Sequence, residues 1–179
     1  MIKAPYFFSF FSTFALRHLF RILISIQTCS QGGVLGQETK SLLFTVAVEK
    51  QMSASIQTLW EALSTREGVQ GWTSEEVEVD FREGGLIKKT YTIKGKTYEE
   101  HWRIKGIVNQ EKIQINWEEY KDSHIEFSLL KETEDFTWLK ITQSNMKTRK
   151  EVPMQASGWH WTLDCISSYL STGVGIDWE

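Results

Sequence analysis

"GWHWTLDCISSYLSTG", residues 158–173, decides how the rest of this 179-residue chain is read. Trp159, Leu163, Ile166 and Leu170 step by four, three and four, so one face of a helix is continuously apolar. Gly173 stops it, and Pro153 in the preceding "KEVPMQ" sits near the helix start, where no hydrogen bond is lost. The same stretch carries Cys165, His160 and Asp164. Nucleophilic chemistry needs hydrogen-bond reach between nucleophile and base. Five positions on a helix set His160 to one side of Cys165, so Cys165 is expected to pack as a small hydrophobe.

A long one-faced helix needs a surface to bury against, and the residues before it supply one. "SLLFTVAVEKQM" reads as a strand. "SASIQTLWEALSTREGVQGW" follows as a short helical pair, with Ser53 or Ser55 as cap and Ile56, Leu59, Trp60 and Leu63 at helical spacing. The period then changes to two. "EVEVDF", "LIKKTYTI", "TYEEHWRIKGIV", "IQINWEEY", "SHIEFSLL" and "FTWLKITQ" are strands in hairpin order, separated by Gly84-Gly85, "KGK" (94–96), "NQEK" (109–112) and "KETED". The expected fold is α+β. A curved antiparallel sheet of about six to seven strands wraps a long C-terminal helix, with two short helices after strand one.

Composition agrees with a folded domain: 41% hydrophobic and 13% aromatic residues, eight of them tryptophan. Charge is unevenly placed. Residues 1–40 hold four basic residues and one acid, which from totals of 20 and 23 leaves residues 41–179 with 16 basic and 22 acidic, a net of −6. Such a domain repels phosphates, so nucleic acid is not an expected partner. Cys29 and Cys165 form no disulfide framework or metal knuckle, which fits a reducing, cytoplasmic setting.

Residues 1–40 are a different text, an apolar and basic leader ending in the linker "QGGVLGQETK"; residues 41–179 are the domain. Arg17, His18 and Arg21 interrupt the apolar run a secretory signal needs, and Thr28 is a poor residue before a lipid-bearing Cys29. Ser9, Thr13, Arg17, Arg21 and Ser25 recur every fourth residue, the narrow polar stripe of a membrane-surface helix. A start placed too far upstream and a packed extra helix are the other readings. Membrane contact through residues 1–30 is expected only if the leader is native. The domain is expected to fold without residues 1–38.

Taken in order, the first strand, "SIQTLWEALSTREGVQGW", "VDFREGGLI" and "GWHWTLDCISSYLSTG" resemble the SRPBCC superfamily of START-like, helix-grip (Bet v-like) domains. More narrowly, residues 42–173 resemble the family named after the activator of heat shock protein 90 ATPase. That resemblance implies a cavity between sheet and helix. It does not imply catalysis. Two departures stand out: "VNQEK" replaces a proline-containing turn, and Gln143 stands where the family often has histidine.

Alternation places Tyr98, Glu100, Trp102 and Ile104 on one side of a strand, Ile113, Ile115 and Trp117 on one side of the next, and Leu139, Ile141 and Gln143 on another. Trp72, Tyr98, Trp102, Trp117 and Trp159 are the candidate walls of a ligand site, with Glu100 and Gln143 as its orienting polar groups. A buried carboxylate needs a partner or a ligand, unless a bulge slips the phase and leaves Glu100 in solvent. His18, His101, His124 and His160 have no metal-site spacing; no metal or cofactor is expected.

The reading that follows is a non-catalytic binding domain for a small apolar or amphipathic molecule. The alternatives are a co-chaperone-like protein that docks a chaperone or other partner through its surface, and a cyclase- or hydrolase-like enzyme with Glu100 as general base. A roomy cavity with convergent polar groups favours binding or catalysis, and a filled core favours docking.

Overall fold

The computed structural model describes residues 23–29, 41–73, 76–93, 95–118, 120 and 123–176. Its elements are β1 (Leu23–Cys29), β2 (Ser41–Met52), α1 (Ile56–Ser64), α2 (Arg66–Thr73), β3 (Glu76–Val79), β4 (Leu86–Ile93), β5 (Lys96–Val108), β6 (Lys112–Trp117), β7 (His124–Lys131), β8 (Thr137–Met146) and α3 (Glu151–Thr172). The strands form one antiparallel sheet in the order β1-β2-β8-β7-β6-β5-β4-β3. Seven of them, β2 to β8, are the strands expected of the domain. They are closed by hairpins, except where α1 and α2 intervene between β2 and β3.

One further strand, β1, comes from the leader. Residues 23–29 pair with β2 in unbroken register, from Leu23 opposite Ala47 to Cys29 opposite Ser41. Ile24, Ile26 and Thr28 are β-branched and suit a strand better than a helix. Ser25 therefore leaves the proposed helical stripe; its other members lie outside the described residues, as does the linker 31–40. Among the described residues no helix is long and apolar enough to cross a membrane.

Local chemistry fixes the helix ends. Ser55, not Ser53, caps α1, its hydroxyl accepting from the Thr58 N–H at 3.1 Å. Thr65 joins the two short helices: its N–H donates to the Glu61 carbonyl at 3.1 Å, and its hydroxyl accepts from the Gly68 N–H at 3.0 Å. Gly68 is needed there, since a Cβ would meet the Glu61 carbonyl oxygen at 2.5 Å. Gly173 ends α3 in the left-handed conformation at φ 82°.

The core lies between the sheet and the helices. Val46 and Val48 of β2, Ile104 of β5, Ile115 of β6, Leu139 and Ile141 of β8, and Leu163 and Ile166 of α3 are all buried. Cys165 is buried with them. Trp159 meets Phe127, Trp117 and Trp102 at centroid distances of 6.0–6.3 Å, so α3 reaches across β5, β6 and β7. Lys50 of β2 holds the other side of the helix through Asp164 at 2.8 Å.

Candidate functional site

The β4–β5 hairpin builds one wall. Two residues separate Ile93 from Lys96, and that turn length sets Tyr91 opposite Tyr98, Lys89 opposite Glu100 and Ile87 opposite Trp102. Along β5 the register shifts between Ile104 and Gly106, beyond these pairs. Glu100 therefore stays in phase with Trp102 and is buried. The solvated alternative for Glu100 does not occur.

Glu100 meets its partner inside the fold. Its Oε2 lies 2.7 Å from the Lys89 ammonium, and the two side chains are each only 10% exposed. Tyr91 donates its hydroxyl to Glu100 Oε1 at 3.4 Å, and the Lys89 Nζ sits 4.3 Å from the Trp102 ring centroid. Tyr91 and Tyr98 stack above the pair at 5.7 Å, with Tyr98 half-buried toward the hairpin end. Lys89 and Tyr91 were not among the candidates. The signal was present, because the turn at 94–95 and the alternation Ile87, Lys89, Tyr91 together place both residues beside Glu100.

Trp102 is the centre of the aromatic cluster. Its centroid is 6.4 Å from Trp72, 6.3 Å from Trp117, 6.1 Å from Phe127 and 6.3 Å from Trp159. Trp72, Trp102 and Trp159 are buried, whereas Trp117 is half-buried and rests on Tyr120 at 4.5 Å. Such ring pairs contribute about 0.5–1.5 kcal/mol each beyond their burial.

The indole N–H groups divide into two kinds. Trp72 donates to the Ala62 carbonyl at 3.0 Å, and Trp159 donates to Gln143 Oε1 at 2.7 Å. Gln143 passes the chain on through its own amide to Ser123 Oγ at 2.8 Å, so it serves the fold rather than standing open to a guest. Trp102 and Trp117, by contrast, bury their N–H groups without a hydrogen-bond partner. A buried donor left unpaired costs about 1–3 kcal/mol.

Among the described residues the space between α1, α2 and the sheet is nearly filled. Leu63, Val69 and Trp72 from α1 and α2 face Ile87, Trp102 and Phe127 across a void of about 10 Å³. That is at the threshold for a single water. Of the seven candidate residues Trp72 and Trp102 line it, whereas Tyr98, Glu100, Trp117, Gln143 and Trp159 stand outside its lining, so the seven do not form one open pocket.

The other chemistry candidates are placed as structural groups. Asp164 is held by Lys50, and Cys165 faces the core. Burial pushes the His160 imidazole below its ordinary value of 6.5, with the Asp164 carboxylate pulling it part-way back. His124 lies outside on β7, its Nδ1 2.8 Å from Asn116 Oδ1, and His101 lies near Glu99 on the same outer face. Among the described residues no three histidine, cysteine or carboxylate side chains gather as a metal site would require.

Residues 53–171 match the family model described as "Activator of Hsp90 ATPase homolog 1-like protein". Among curated proteins none matches the chain. Solved structures with the same fold include CalU16 from Micromonospora echinospora, at 18% identity and a TM-score of 0.61, covering 84% of this chain and 83% of that one. The Aha1 dimer from Colwellia psychrerythraea is 17% identical, with a TM-score of 0.60 and coverage of 73% and 98%. An AHSA1-like protein from Aeromonas hydrophila is 16% identical, with a TM-score of 0.63 and coverage of 72% and 93%. At these identities the likeness is one of fold.

Proposed function

The chain belongs to the family of activator of Hsp90 ATPase homolog 1-like proteins, and on that footing we propose that its domain binds a small apolar or amphipathic molecule without transforming it. The observation that carries this reading is the Trp102 indole. It is buried in the wall of the void, surrounded by rings, and its N–H has no partner. A buried donor without a protein partner carries a cost that a guest with an acceptor atom removes.

Glu100 supports a binding role over a catalytic one. A general base must reach the proton it abstracts, and both Glu100 oxygens are engaged, one by Lys89 and one by Tyr91. The void holds no more than a water, so a guest enters by displacing the side chains of α1 and α2 from the sheet. Cryptic sites of this kind are minor conformations that a ligand makes dominant.

The same small void favours a second reading, in which the filled domain docks a chaperone or other protein through its surface. Titration of the full chain with the uncharged fluorophore Nile red separates the two. Saturable emission that Trp72→Ala alters supports the interior site. No saturable uptake, together with stimulation of a purified Hsp90-type ATPase, supports docking.

A further inference from the structure

We infer that α2 is the element that opens, and that the chain just past the last helix latches it shut; that the opening admits a guest rests on the interior-site reading. Two contacts make the latch, and both fall on one residue of α2. The Tyr169 ring of α3 lies directly on Gly71, where a Cβ would meet its Cε2 at 2.1 Å. Past the helix end, the Gly175 N–H donates to the Gly71 carbonyl at 2.9 Å. A Cβ on Gly175 would in turn meet the Trp72 carbonyl oxygen at 2.6 Å. Glycine weakens a helix interior, and at position 71 its missing side chain is what the ring occupies.

The tail is held in place by its own helix. Gly173 turns the chain at φ 82°, its N–H returning to the Tyr169 carbonyl at 2.8 Å. The Val174 carbonyl accepts from the hydroxyls of Ser168 at 3.0 Å and Thr172 at 3.1 Å. Val174 itself is exposed, whereas Ile176 packs against the core. Residues 173–176 thus leave a 22-residue helix, are tied back to it, and cross onto α2.

The element under the latch is suited to move. With eight residues, α2 is too short to hold its helical form alone. It follows α1 through Thr65, whose extended backbone, φ −100° and ψ 155°, makes a one-residue hinge. Val69 and Trp72 cover the void from this side and face Ile87, Trp102 and Phe127 of the sheet. Those three lie on β4, β5 and β7, strands paired on both sides, so opening falls to the helix. Turning α2 about Thr65 lifts Trp72 from Trp102 and gives up its 3.0 Å bond to the Ala62 carbonyl.

Hydrogen exchange on the full chain, read by mass spectrometry, tests the latch without any guest. Gly175→Ala drives the tail off the Trp72 carbonyl, and Gly71→Ala evicts the Tyr169 ring. Residues 66–73 should exchange faster in both, by about tenfold in Gly175→Ala, the yield of one lost hydrogen bond, while β7 and β8 keep wild-type rates. Gly71→Ala gives the sharper sign, because alanine favours a helix and would slow exchange if propensity alone governed α2. Unchanged or slower exchange of α2 in either variant, or acceleration shared equally with β7 and β8, overturns the latch. Stopped-flow uptake of Nile red then reads what the opening admits, and its rate should rise in proportion to the exchange. Faster exchange with no faster uptake overturns the gate. No saturable uptake by any form overturns the interior site and the gate with it, whereas the latch is still decided by the exchange rates.

Discussion

The Trp159 indole N–H lies 2.7 Å from Gln143 Oε1, and this buried bond fastens the C-terminal helix to β8. Gln143 in turn donates to Ser123, so three residues from a helix, a strand and a loop share one polar chain inside an apolar core.

Gln143→Leu strands the Trp159 N–H and takes away the donor that Ser123 accepts from. The expected loss is about 1–3 kcal/mol in urea unfolding. Pairing it with Trp159→Phe removes both ends of the first bond, and the double variant should recover part of the deficit. Strict additivity of the two losses would show that the bond carries no coupling.

Glu100→Gln leaves the Lys89 ammonium buried without its counter-charge, which costs about 3–5 kcal/mol. The buried partner sets the size of the effect. Replacing both members with apolar residues, Lys89→Met with Glu100→Leu, should restore stability close to the parent. Equal damage in single and double variants would contradict a buried pair.

Cys165→Ala should cost on the order of 1 kcal/mol and leave probe binding unchanged, because the thiol fills space in the helix–sheet core. Alkylation of the folded protein should be slow at this position and become fast in denaturant. Rapid modification under native conditions would place the thiol at the surface.

His160 makes stability depend on pH with a definite sign. Its folded value is depressed below 6.5, so the unfolded chain binds the proton more readily. The stabilisation is fully present above 6.5 and is lost as pH falls from there through the depressed folded value. His160→Asn should flatten the unfolding free energy over that window. An unchanged pH slope would rule out the half-buried neutral imidazole.

Removing residues 1–40 takes away the strand that covers the edge of β2. The domain is expected to fold without its leader, but with this edge of the sheet left open. An uncovered twelve-residue strand is a template for another chain. The truncated protein should melt lower and self-associate with rising concentration in sedimentation velocity. A monomer of unchanged melting temperature would show that this strand adds nothing to the sheet.

Much of the architecture is legible in local pattern. The period-two runs through Trp102 and through Ile141 assign their buried faces correctly, because a strand with one face in the core cannot slip by one residue. The step of Trp159, Leu163 and Ile166 does the same for the helix. The leader strand is not legible that way: its pairing runs through backbone groups, which leave no periodic signature in so short a run. Gln143 facing inward is readable from alternation, but its commitment to Trp159 and Ser123 is not, since those partners come from elements far apart in sequence. The near-closure of the cavity is equally hidden. Whether eight large side chains leave ten cubic ångströms or several hundred depends on how they interlock.

The interior site is tested most directly at the Trp102 indole itself. Nitrogen-labelled full-length protein titrated with Nile red should show the Trp102 indole N–H resonance moving progressively to a saturated position as it gains an acceptor. The Trp72 and Trp159 indoles, already bonded to Ala62 and Gln143, should move less. A Trp102 resonance that stays fixed through the titration would contradict the account.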